Sequence, residues 1–402
     1  MTDHEHLTEQ EMQAANTARF DFGAGYPFLP VPRETQVLYA QPDMSLRSLT
    51  MPPTLTADEV QAIDERLDAS VRSTLGIPAN SELSVSPTFS GGVALDRAFA
   101  AAMRMVDGQN SPLVHAVATT PSIDILRLFL EERGPRLNLH FVESRNGQLG
   151  WLDEDAIIDI VHAVRRVGRN DGIVVILTSP ENPTGEFWRE DALRGIGAAC
   201  AGAGAVLIVD HAFLTAGVHV GRREIPRAWS ALGVGGDWIS TWDTGKTFGL
   251  NEDKLGFVIS GSRRAAAAVD QALSIMQFDV SRRQKMFFGE LLSGGRHTGY
   301  VTTLAEVCRT NLDTALRLSA DAPLTVRAPR AGSVLLVRLN GHGPDDDEVR
   351  RYLLSHGVGV ISGNVFFHTG WRPRDLLRIA LARDPAYFAE GFEAMVDLLR
   401  AL

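Results

Sequence analysis

The chain has 402 residues, 45% of them apolar and 22% charged, with a formal net charge of −10. This is the composition of a globular protein with a large core, and its acidic balance argues against a general nucleic-acid or anionic-membrane surface. Its two cysteines, Cys200 and Cys308, form no CxxC pair, which excludes a disulfide framework or a cysteine zinc site and fits a reducing cytoplasm.

The first residues, Met1 to His6, are polar and acidic and lack the basic and apolar segments of a signal peptide. His4 and His6 read as part of a disordered terminus, not as a metal site. No apolar run approaches the ~20 residues needed to span a membrane. Phe20 to Pro30 is punctuated by Gly and Pro and reads as an irregular arm. Thr56-Ala57-Asp58-Glu59 opens a helix with an N-cap threonine and an acidic first turn. In Ser90-Gly91-Gly92 a hydroxyl and two glycines precede an apolar helix. That is a turn and cap by itself, and also the form of a phosphate-binding loop at a helix N-terminus.

Gly172 to Leu177 and Ala205 to Val209 are continuous apolar runs, as in parallel strands covered on both faces, with a helical stretch from Arg189 to Gly204 between them. The pattern predicts an α/β fold around a mostly parallel sheet. After about residue 300 the chain reads as a smaller α+β unit. It has a helix over 301–318, a strand over 332–339, a helix over 345–356, strands near 358–361 and 377–381, and a last helix from 385. The expected organisation is an N-terminal arm over 1–50 that joins the small domain and the active site, a large domain over 51–300 and a small domain over 301–402.

Three polar groups follow apolar runs in order: Asn182 in Asn-Pro-Thr-Gly, Asp210 after Val206 to Val209, and Lys246 in Trp242-Asp243-Thr244-Gly245-Lys246-Thr247. Singly they read as a turn, a helix cap and a surface lysine. Ligands of such sheets sit beyond the carboxyl ends of strands, so all three would face one crevice. Gly245-Lys246-Thr247 also ends like a nucleotide-binding P-loop, but the first glycine of that motif is replaced by Ser240 and the flanks are bulky.

Together these residues resemble the aspartate-aminotransferase superfamily, the fold type I enzymes that use pyridoxal 5′-phosphate (PLP), over most of the chain. The resemblance implies that Lys246 forms the Schiff base and later removes the Cα proton, and that Asp210 pairs with the pyridine nitrogen. It further implies that Asn182 bonds the ring's phenolic oxygen, that Ser90, Gly91, Gly92, Thr244 and Lys254 surround the phosphate, and that Arg378 grips the substrate α-carboxylate. A homodimer acting on a small-molecule amino acid is expected. Regulators built on this fold carry a DNA-binding domain, and no basic helix-turn-helix is found here.

Asp243-Thr244-Gly245-Lys246, with Lys254 in place of the usual arginine, is similar to a subgroup, the PLP-dependent arginine oxidases and hydroxylases. So is Leu7-Thr8-Glu9-Gln10-Glu11, where Glu11 would hold a substrate guanidinium. The subgroup's Asp-Gly-His is replaced by Gly23-Ala24-Gly25-Tyr26, of which Gly25 and Tyr26 would line the substrate pocket. Phe213 stands where many relatives have a tyrosine, and Ser122 where they have a ring-stacking aromatic. These departures imply specialised chemistry on an L-amino acid: β- or γ-elimination or replacement, cyclisation or oxidation, with an arginine-like or S-adenosylmethionine-like substrate. The alternative is an ordinary aminotransferase.

Overall fold

The structure is a computed structural model. It describes residues 7–41, 55–79, 81–107, 113–143, 152–222, 226–231, 236–277, 279–293, 296–341, 343–369 and 372–402. His4, His6 and the expected end of the arm at residue 50 lie outside the described residues. The strands, in chain order, are β1 Phe20–Asp21, β2 Ser84–Thr88, β3 Val114–Thr119, β4 Leu137–Val142, β5 Gly172–Thr178, β6 Val206–Asp210, β7 Trp238–Asp243 and β8 Gly256–Ser260. They continue with β9 Leu324–Arg327, β10 Val334–Leu339, β11 Val358–Gly359, β12 Ile361–Ser362 and β13 Leu376–Ala380.

Seven strands form one sheet in the order β2-β8-β7-β6-β5-β3-β4. Only β8 runs against its neighbours, so the sheet is mostly parallel, as expected. Alternate residues of each strand feed two cores: Val174 and Ile176 join one, Val175 and Leu177 the other. Helices cover both faces, which is why β5 and β6 are apolar up to their last residues, Thr178 and Asp210. Helix Ala57–Leu75 begins as read, with Thr56 and Glu59 forming a reciprocal capping box, and ends on Gly76 in the left-handed conformation.

The later residues build a four-stranded antiparallel sheet, β12-β13-β10-β9, backed by helices Arg296–Leu318 and Pro385–Ala401 around a separate core. The N-terminal arm joins this part, because β1 pairs in parallel with β11. The expected single strand near 358–361 is two short strands. β11 pairs with the arm and β12 with β13, so the chain changes sheets at Val360.

Candidate active site

Asp210 is the last residue of β6, Asn182 lies four residues beyond β5, and Lys246 sits in the one-turn helix Gly245–Phe248 just past β7. The neighbouring strands therefore bring the three to one end of the sheet. Asp210 is buried, and its Oδ1 accepts from Thr241 Oγ1 at 2.7 Å and from Ala212 N at 3.2 Å. Burial raises its pKa to about 6 against those two bonds, with Asp243 raising it and Lys246 lowering it further. Burial likewise lowers the pKa of Lys246, with Asp243 and Asp124 opposing and Lys254 and Arg378 assisting. Its Nζ lies 5.7 Å from the centre of the Phe213 ring. Asn182 is buried with its Oδ1 unpartnered.

Ser90, Gly91 and Gly92 enter helix Gly91–Asp107, and Ser90 Oγ accepts from Val93 N at 3.2 Å. Asp243 ties this loop to the lysine turn. One carboxylate oxygen accepts from Gly91 N at 3.0 Å, the other from Gly245 N at 2.5 Å. A Cβ on Gly91 would stand 2.4 Å from Asp243 Oδ2, so the loop can close only on glycine. Gly91→Ala is expected to weaken PLP binding by about 1–3 kcal/mol, the usual cost of overpacking, measured as a dissociation constant on the apoprotein.

Lys254 lays its stem across Gly245, whose added Cβ would meet Lys254 Cδ at 2.8 Å, and its Nζ donates to Asn251 Oδ1 at 2.8 Å. The Thr244 hydroxyl is committed to the backbone: it donates to Leu255 O at 3.0 Å and accepts from Leu255 N at 2.9 Å. Its place is to pin the lysine turn to the start of β8.

Arg378, on β13, is buried and faces the arm. Its Nη2 donates to Gly23 O, its guanidinium lies 5.2 Å from the Phe366 ring centre, and its Nε has no partner. Gly25 packs beside it: an added Cβ would be 3.6 Å from Arg378 Nη1. Burial lowers the Arg378 pKa to about 10. Tyr26 turns elsewhere, its carbonyl accepting from Arg383 Nη1 at 2.9 Å and its ring pairing with Phe28. Glu11 has partners of its own: Arg350 Nε at 3.3 Å and Ser362 N at 3.0 Å. The structure thus gathers Lys246, Asp210, Asn182, Lys254 and the glycine loop, sets Arg378 with Gly25 across from them, and leaves Glu11 in an internal ion pair.

Sequence reasoning missed Asp243 and Thr241 as site groups. Asp243 had a usable signal, being three residues before the lysine at a strand end. His211 and His368 are structural. Each is buried and kept neutral with a pKa near about 4 by burial, and each ring bonds backbone, His211 with Ser179 O and Ala228 N, His368 with Ile123 O. Among the described residues no cluster of His, Cys, Asp and Glu could hold a metal ion, and no helix is long and apolar enough to cross a membrane.

A family model, aminotransferase class I and II, matches residues 152–394, more than half of the chain. The chain belongs to that family. It is accordingly a PLP-dependent enzyme of amino-acid chemistry. No curated protein matches it by sequence. Among solved structures it is similar to MppP soaked with the product 2-ketoarginine, at 22% identity and TM-score 0.73, over 94% of this chain and 98% of that one. It is also similar to YbdL from Escherichia coli, described with a methionine aminotransferase function, at 18% identity and TM-score 0.77, over 98% and 96%. Thermus thermophilus aspartate aminotransferase with maleate aligns at 15% identity and TM-score 0.76, over 99% and 97%.

The residues present fit PLP. The pocket holds a buried carboxylate for a pyridinium, a buried amide with an unpartnered end, a lysine whose pKa burial lowers, and a loop with no room for a Cβ at Gly91.

Proposed function

We propose that this enzyme carries out specialised chemistry on an L-amino acid, altering its side chain by elimination, replacement, cyclisation or oxidation. The observation that carries this reading is the surroundings of Lys246. The buried Phe213 ring is what faces its amine, where many relatives offer a tyrosine hydroxyl, and Ser122 replaces the stacking aromatic. Neither Phe213 nor Ser122 supplies the hydroxyl and the ring face that many relatives offer at these two positions.

When bound, PLP supplies an electron sink through its pyridine ring. Lys246 Nζ, whose ammonium burial disfavours, would hold the PLP aldehyde and act as the base for the substrate Cα proton. Asp210, its Oδ1 oriented by Thr241 and Ala212, keeps the pyridine nitrogen protonated. Lys254 and the Ser90-Gly91-Gly92 loop take the phosphate; Thr244 and Asp243 fix the turn between them. Arg378 would offer Nε to the substrate α-carboxylate and so fix the substrate's orientation. Lys254→Met is expected to raise the PLP dissociation constant about tenfold, the size of one charge-assisted bond.

The second reading is an ordinary aminotransferase, favoured by the aminotransferases among the structural neighbours. The internal Glu11–Arg350 pair argues for a substrate without a guanidinium held by Glu11, so a γ-leaving group fits better than arginine. Members of the family are commonly dimeric, and a homodimer is part of this proposal. The deciding experiment follows product from a panel of amino acids with and without a keto acid. Continuous turnover without keto acid supports specialised chemistry. Product that stops at one equivalent until a keto acid is added would establish transamination.

A further inference from the structure

Glu181 takes no part in the roles above. It is 1% exposed, three residues past β5, beside Asn182. β5 and β3 are neighbours at the point where the sheet order reverses, with β4 beyond β3 on one side and β6 and β7 beyond β5 on the other. Doubly wound sheets take their ligands in the crevice at such a point. Glu181 spans it. Thr119 Oγ1, at the end of β3, donates to Glu181 Oε2 at 3.2 Å, and the Ser122 hydroxyl bonds the same carboxyl group. The backbone is fixed as well: Glu181 N donates to Glu186 O at 2.7 Å, and Gly185 N donates to Glu181 O at 2.9 Å.

The other oxygen, Oε1, is buried and has no partner. No ion pair reaches Glu181 among the described residues. β6 contributes Asp210, a like charge, and the β3 end contributes only hydroxyls. An unpaired buried carboxylate beside a second carboxylate is strongly disfavoured, whereas the neutral acid is not. Burial accordingly drives the Glu181 pKa well above the usual range, and the Thr119 and Ser122 bonds offset only part of this. With Oε2 accepting from Thr119 and Oε1 free of partners, the proton belongs on Oε1.

We propose that Glu181 is a neutral acid of the PLP pocket, presenting Oε1–H as a hydrogen-bond donor to the group that the pocket binds. The inference rests on reading this crevice as the PLP site. It divides the two buried acids by function: Asp210 carries the negative charge, Glu181 the proton.

Glu181→Gln is the isostere of that acid, since its amide accepts at one end and donates at the other; Glu181→Met removes both. In the PLP-loaded protein, the infrared carbonyl band of a protonated carboxylic acid is expected in wild type and lost in E181Q. E181Q is expected to bind PLP within about threefold of wild type, and E181M about tenfold more weakly, the value of one buried hydrogen bond. The PLP absorbance of E181Q is expected to titrate as in wild type around neutral pH, because a neutral group replaces a neutral group. Absence of the wild-type infrared band overturns the inference, as does a displaced titration midpoint in E181Q or wild-type affinity in E181M. Each of those results leaves PLP binding by wild type intact; a wild-type protein that takes up no PLP would overturn the site itself.

Discussion

Lys246→Ala is expected to lower turnover on the order of 10³-fold and to remove the visible absorbance that depends on a lysine–PLP bond. Alanine deletes the half-buried amine that the turn after β7 holds at this end of the sheet, and with it both the nucleophile and the proton acceptor at Cα. PLP binding itself should persist in weakened form, because Asp210, Lys254 and the glycine loop remain. Lys246→Arg separates the two effects. Its guanidinium places positive charge near Asp243 but neither attacks an aldehyde nor accepts a proton near neutral pH. The check is the absorbance spectrum of wild type and both variants with added PLP, followed by turnover of the amino acid that wild type accepts. A variant that kept the wild-type spectrum would move the covalent site to another residue.

Where burial on both faces dictates composition, the fold was legible. β5 and β6 were readable to within a residue, because nothing but apolar side chains satisfies both cores. The lysine, aspartate and asparagine were legible because each follows such a strand. Other elements carried no local signal. β2, Ser-Val-Ser-Pro-Thr, is polar and contains Pro87, and is a strand only because β8 is beside it. The break between β11 and β12 depends on which partner each half meets, the arm or β13, which no periodicity reveals. Glu181 lies in Ser-Pro-Glu-Asn-Pro, which reads as an exposed turn; its burial is a consequence of β3 lying alongside β5. Glu11 was read as a substrate ligand, yet its environment is set by Arg350, on a helix near the other end of the chain. In each case a charged residue's role depends on distant partners.

Arg383→Met is expected to destabilise the protein by about 3–5 kcal/mol, the scale on which removing one partner from a buried charged network acts. Arg383 is 1% exposed and would pass in the sequence for a surface arginine after β13. Its guanidinium instead fastens the arm: Nε donates to Asp21 O at 2.6 Å, Nη2 to Ala24 O at 2.7 Å and Nη1 to Tyr26 O at 2.9 Å. Methionine fills much of the same volume but leaves those three carbonyls without their donor, and buried acceptors left unpaired cost more than the lost bonds alone. The consequence reaches the active site, because Gly23 and Gly25 lie between these anchors and against Arg378. The variant should therefore show a lower urea midpoint and a raised KM, with PLP affinity less affected, since the cradle lies on the large sheet. Arg383→Lys, able to restore a single donor contact at a time, should fall between. An unchanged midpoint in Arg383→Met would mean that β1 and its pairing with β11 suffice to hold the arm; a lower midpoint with unchanged KM would mean that the arm does not shape the substrate site.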